Sequence, residues 1–135
     1  MKRHFPIGLV VLFASFCLTS MALGAFNIPN SVYRIDQLEQ AKKEAMSYNK
    51  QIVFLYSDEN TTCPLASRAS TSIIERFKQS AVIVYFNKED WPKVPRIVKE
   101  AIKSPASGKF IPKTIVVNAE MTGVVSIIPY ESAGK

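Results

Sequence analysis

Histidine is almost absent from this chain: a single copy stands at position 4 of 135 residues. It follows Met1-Lys2-Arg3 and precedes an apolar run from about Phe5 to Ala22, after which small residues appear at Ala22, Gly24 and Ala25. Basic residues, an apolar stretch and small residues in that order make a secretory signal peptide, so residues 1–25 are expected to be cut away and residues 26–135 to fold. If the run stays uncut it becomes a membrane anchor, because close to twenty apolar residues span a bilayer. Cleavage removes His4, and a domain without histidine excludes Cys-His and Ser-His-Asp arrangements and most zinc sites. No metal and no cofactor is expected.

Cysteine is nearly as scarce. Of the two present, Cys17 lies inside the apolar run, and Phe16 before it is too large for a lipidation site. Cys63 is then alone, so no disulfide framework holds the domain together, although the expected compartment, periplasmic or extracellular, is oxidising. Charge is also unconcentrated. The formal net charge is +6 and falls to about +4 once Lys2 and Arg3 leave, spread along the chain. With no basic stripe interleaved with exposed aromatics, no nucleic-acid partner is expected. About 110 residues make one domain with one modest core.

What is present is an alternation of helical and extended patterns. Asp36 with Glu39 three residues on resembles a helix cap, with Ile35 as its apolar staple. Leu38, Ala41, Ala45 and Tyr48 then recur at three and four residues, predicting a helix ended by Asn49 and Lys50. Residues 51–56 (Gln51-Ile52-Val53-Phe54-Leu55-Tyr56) and 81–86 (Ala81-Val82-Ile83-Val84-Tyr85-Phe86) are nearly continuous apolar runs of β-formers, the signature of strands buried on both faces. Between them Leu65, Ala69, Ile73 and Phe77, joined by Ala66 and Ile74, predict a helix packed on the sheet, which makes the two strands parallel neighbours. Asp90-Trp91-Pro92 is expected to open a further helix with Val94, Ile97 or Val98, and Ala101 inward. Its lysines and arginine (Lys93, Arg96, Lys99, Lys103) form a wet face. Residues 111–118 and 124–128 read as hairpin strands around the turn Asn118-Ala119-Glu120-Met121-Thr122-Gly123, with Pro112 at the strand mouth where it need not donate to the ladder.

The stretch Tyr56-Ser57-Asp58-Glu59-Asn60-Thr61-Thr62-Cys63-Pro64-Leu65-Ala66 joins the first long strand to its helix. Proline is tolerated in the first helical turn, so Pro64 puts Cys63 at the helix mouth. Unpaired amide donors and the helix dipole favour a thiolate at such a position. A buried, inert filler is the competing reading of a lone cysteine. Asp58 and Glu59 read as loop solvation.

The order helix, strand, Cys-bearing helix, strand, helix, proline-led strand, strand resembles the thioredoxin superfamily from about Val32 to Tyr130. The resemblance implies an α/β fold with a four-stranded mixed sheet and flanking helices, lacking the family's terminal helix. It implies that Cys63 is the redox thiol, that the Ile111-Pro112 bond is the cis-proline beside it, and that Thr62, Pro64, Ile111 and Pro112 contact substrate. The chain also departs from the family. Ala66 stands where the dithiol motif has its second cysteine, Thr62 replaces the usual aromatic, and the glycine-rich segment that holds glutathione in glutaredoxins is missing. Asn60 and Tyr56 also occupy the positions where peroxiredoxins carry Thr or Ser and Pro.

With Ala66 the internal step that resolves a mixed disulfide is lost, so the resemblance implies a single-thiol protein whose Cys63 exchanges with a protein or small-molecule thiol or disulfide and is cleared by an external thiol. Arg68 and Lys113 are the cations that would support a thiolate if near. Two other readings stand beside this one: a non-catalytic binding or assembly module on the same scaffold, and a homodimer linked through Cys63.

Overall fold

The computed structural model describes residues 25–133. The expected signal peptide, with His4 and Cys17, lies outside the described residues except for its last residue, Ala25. No helix among those described is long and apolar enough to cross a membrane.

Five strands form one mixed sheet in the order β1-β3-β2-β4-β5. These are β1 (Tyr33–Arg34), β2 (Gln51–Tyr56), β3 (Ala81–Phe86), β4 (Lys113–Val117) and β5 (Val124–Ile128). Strands β1 and β2 flank β3 in parallel, and β4 runs antiparallel to both β2 and β5. Three helices cover the sheet: α1 (Leu38–Ser47), α2 (Pro64–Phe77) and α3 (Arg96–Lys103). After β5 the described chain makes only a 3-10 turn, Tyr130–Ser132, with no α-helix.

Period-two alternation in the central strands divides the core into two layers. Ile52, Phe54, Val84, Phe86, Ile115 and Val117 point toward Ala41 and Ala45 of α1 and Val98, Ala101 and Ile102 of α3. Val53, Leu55, Ile83, Tyr85, Val116 and Ile128 meet Ile73 and Ile74 of α2 on the other face. Because both faces are covered, the continuous apolar runs 51–56 and 81–86 are satisfied as central strands.

Several expectations need correction. The sheet has five strands instead of four, because Tyr33 and Arg34 add a two-residue edge pairing Val84 and Tyr85. Asp36 caps nothing; a 3-10 turn, Ile35–Gln37, precedes α1, and the Gln37 side chain accepts from the Arg34 amide at 3.1 Å. Asp36 instead pairs with Lys93. Tyr48 lies outside the helix and is 69% exposed. At the end of α1, Asn49 takes φ 49°, a conformation asparagine tolerates, and the Lys50 amide donates to Ala45 at 2.8 Å. The inward face of α2 is Ala66, Ser70, Ile73 and Ile74, and Leu65 is 57% exposed. The helix expected at Asp90 begins later. Asn87 caps a 3-10 run, Lys88–Lys93, by accepting from Glu89 at 3.0 Å and Asp90 at 3.3 Å, and α3 starts only after Pro95.

Candidate functional site

Cys63 is the N-cap of α2, in an extended conformation (φ −88°, ψ 111°), with Pro64 in the first helical turn. Its amide donates to Thr61 Oγ1 at 3.1 Å and its carbonyl accepts from Ser67 at 3.1 Å, while the side chain makes no capping bond. The free thiol is exposed.

The loop before the thiol is tied down from below. Arg34 donates both terminal nitrogens to Glu59, at 3.0 and 2.9 Å, and its guanidinium lies over the Tyr85 ring at 5.5 Å. The Glu59 amide donates to the Tyr85 hydroxyl at 2.9 Å. Hydrogen bonding from Arg34 holds the Glu59 carboxyl below its ordinary range, and burial pushes the Tyr85 phenol up. Asp58 Oδ1 accepts from the Asn60 amide at 2.9 Å, a turn within the loop. The edge strand β1 thus acts on the site by carrying the arginine that anchors this loop.

Under the first turn of α2 lie two buried hydroxyls, Ser57 Oγ and Ser70 Oγ, 2.6 Å apart. Ser70 donates to the Ala66 carbonyl at 2.8 Å, so its one proton is committed and Ser57 must supply the proton between them. This contact fixes α2 against the end of β2. It also explains why the helix is anchored by serine at a position where apolar periodicity alone points elsewhere.

Opposite the thiol, the Ile111-Pro112 peptide bond is cis. Pro112 is buried just before β4, and Ile111 is half-buried. Among the described residues neither the amide nor the carbonyl of Ile111 has a hydrogen-bond partner. Gly108, at φ 75°, carries the preceding loop close to the final turn, where a Cβ would stand 3.0 Å from Glu131 Oε2 and 3.2 Å from Pro129 Cβ. That approach brings Phe110 and Tyr130 together in a T-shaped pair with centroids 6.3 Å apart.

Two clefts meet at Ile111. One, of about 360 Å³, is lined by Thr61, Cys63, Ala66, Phe110, Ile111 and Tyr130 and contains no charged side chain. The other, of about 480 Å³, is polar and includes Asp58, Asn60, Asn87, Lys88 and Glu89. Cys63 and Ile111 therefore share one cavity. Thr62 and Pro64 are exposed but do not line it, and Pro112 lies buried behind Ile111. The cations expected near the thiol are not in its lining. Lys113 Nζ turns to Ser107 Oγ at 3.2 Å and the Ile102 carbonyl at 3.4 Å, and Arg68 lines a separate shallow depression with Leu65 and Glu131. Phe110 and Tyr130 were not anticipated. The position of Phe110 directly before Ile111-Pro112 is the signal that could have found it; Tyr130 is placed only by the closing turn.

Among the described residues no group of three His, Cys, Asp or Glu side chains gathers where a metal could be held. Comparison of the chain with protein-family models, with curated proteins and with solved structures gives no match.

Proposed function

We propose that this chain is a single-thiol, thioredoxin-like protein of the cell envelope, periplasmic or secreted, that exchanges disulfides through Cys63. The observation that carries the reading is the sharing of one cleft by the exposed Cys63 thiol and the backbone of Ile111, which is unpaired among the described residues and precedes a cis proline. A parallel strand-helix-strand unit followed by a proline-led antiparallel hairpin accords with a thioredoxin-like fold.

In this reading the Cys63 thiolate attacks one sulfur of a partner disulfide. A bond forms between Cys63 and that sulfur as the partner's S–S bond breaks, and the second partner sulfur leaves as a thiolate. Ala66 supplies no resolving thiol, so the adduct waits for an external thiol. That thiol attacks the partner sulfur, takes the partner away as a new disulfide and returns Cys63 as a thiolate. Ile111 can hold an extended partner by main-chain hydrogen bonds while this occurs.

A second reading, a binding or assembly module that uses the cleft without chemistry, is favoured by the lining itself, which offers no charged group to assist a thiolate. Acid-quenched, alkylated extracts of the native compartment separate the two. Exchange predicts partner adducts that vanish on reduction and in Cys63→Ser, together with loss of the physiological activity. If Cys63→Ser keeps both partner binding and activity, the module reading replaces exchange.

A further inference from the structure

We infer that the two clefts meeting at Ile111 select the partner by the side chains two residues to either side of its reacting cysteine: apolar on one side and cationic on the other. The inference rests on the exchange reading. A segment that pairs with the open amide and carbonyl of Ile111 is extended, and successive side chains of an extended segment point to opposite faces. When its cysteine lies against Cys63, the side chains two residues before and after it share its face, each about 7 Å along the segment, and fall toward the two cavities that Ile111 separates.

The cavities differ in chemistry. The cleft on the Cys63 side is walled by the Phe110–Tyr130 pair, and Phe110 is 62% exposed with nothing over it among the described residues. Its lining has no charge to receive a carboxylate, so an apolar side chain gains by burial there and an acidic one loses its hydration. The polar cleft contains two carboxylates, Asp58 and Glu89, and one ammonium, Lys88. Lys88 lies 4.0 Å from Glu89, which leaves Asp58 without an ion pair among the described residues. That balance favours a lysine or arginine from the partner. Glutathione has no apolar side chain and is net acidic, with two carboxylates against one ammonium, so the preferred partner is a protein segment.

The test uses the full mature protein and short peptides whose single cysteine is bound as a mixed disulfide to 5-thio-2-nitrobenzoate. Attack by Cys63 on the peptide sulfur joins the peptide to the protein and releases the coloured thiolate, whose appearance gives the rate. Four peptides place leucine or glutamate two residues to one side of cysteine and lysine or glutamate two residues to the other, with alanine between, and glutathione in the same mixed disulfide is the fifth probe. The leucine-lysine peptide should react about tenfold faster than the doubly acidic peptide or glutathione. Phe110→Ala should shrink the leucine advantage and Asp58→Asn the lysine advantage, each without removing the other; Phe110 is exposed, and asparagine keeps the oxygen that accepts from Asn60. Equal rates for all five probes with a reactive thiol overturn the inference and leave exchange standing. No reaction with any probe, nor with the symmetrical aromatic disulfide, overturns exchange and the selection that depends on it.

Discussion

Ser57 and Ser70 bury their hydroxyls beneath the turn that carries Cys63, each supplying what the other needs. Ser70→Ala leaves the Ser57 proton without a partner, and a buried orphan of that kind costs about 1–3 kcal/mol. We expect a stability loss of this size in denaturant unfolding, partly recovered when Ser57→Ala is added; a larger loss in the double variant contradicts the pairing. Thr114 presents the opposite case. It is 0% exposed and its Oγ1 has no hydrogen-bond partner among the described residues. Thr114→Val removes a desolvated hydroxyl at nearly constant shape and should raise stability by about 1 kcal/mol. A drop of similar size shows that the hydroxyl is satisfied.

At the scale of elements, the loop from Ser57 to Thr62 depends on a pair that titrates. Arg34 lowers the Glu59 carboxyl by hydrogen bonding, so the folded form binds its proton less readily than the unfolded one. The contribution is present above the ordinary carboxylate range and is lost as pH falls through the depressed value. The side chains are 50% and 26% exposed, so solvent screening limits the pair to about 1 kcal/mol or less. Amide exchange in the loop, corrected for intrinsic rates, should accelerate as the solution is acidified through that window. Glu59→Gln should flatten the response; an unchanged profile refutes the anchoring role. The β4–β5 hairpin is tied more locally. Asn118 Oδ1 accepts from Thr122 at 2.8 Å and from Gly123 at 3.0 Å. Asn118→Ala should therefore cost about 1–2 kcal/mol in unfolding free energy, without changing the reactivity of Cys63.

These elements also show what could be read from the chain. The apolar runs 51–56 and 81–86 were legible because central strands need no alternation, and Pro64 placed Cys63 near the start of α2. Leu65 was misplaced because it sits in step with Ala69, Ile73 and Phe77, while the true inward row passes through Ser70, whose burial depends on a partner in another element. Strand β1 escaped because two residues contain no period, and its pairing is decided by β3. Pro112 could be placed at a strand mouth, but its isomer could not, since both are accessible to an X-Pro bond. Tyr130 reaches the site only through the loop approach at Gly108, a tertiary fact with no local signature.

For the whole molecule, a five-stranded sheet covered on both faces concentrates stability in the large side chains at its centre. Phe54 is 0% exposed between α1, α3 and the neighbouring strands. Phe54→Ala should cost about 3–5 kcal/mol, a large share of the roughly 5–15 kcal/mol that keeps a domain folded. The melting transition should fall accordingly, and a change below about 1 kcal/mol contradicts this assignment of the core. The same rigid sheet places Cys63 opposite Ile111 from two different elements, which is the arrangement the exchange reading depends on. Its most direct test is a time course with purified, reduced protein, dilute enough to suppress reaction between copies, mixed with a peptide disulfide and followed by mass after acid quenching. The account predicts one peptide per chain, attached at Cys63, persisting until an external thiol is added and then released with recovery of the free thiol. An unmodified Cys63 at the end of the time course contradicts it.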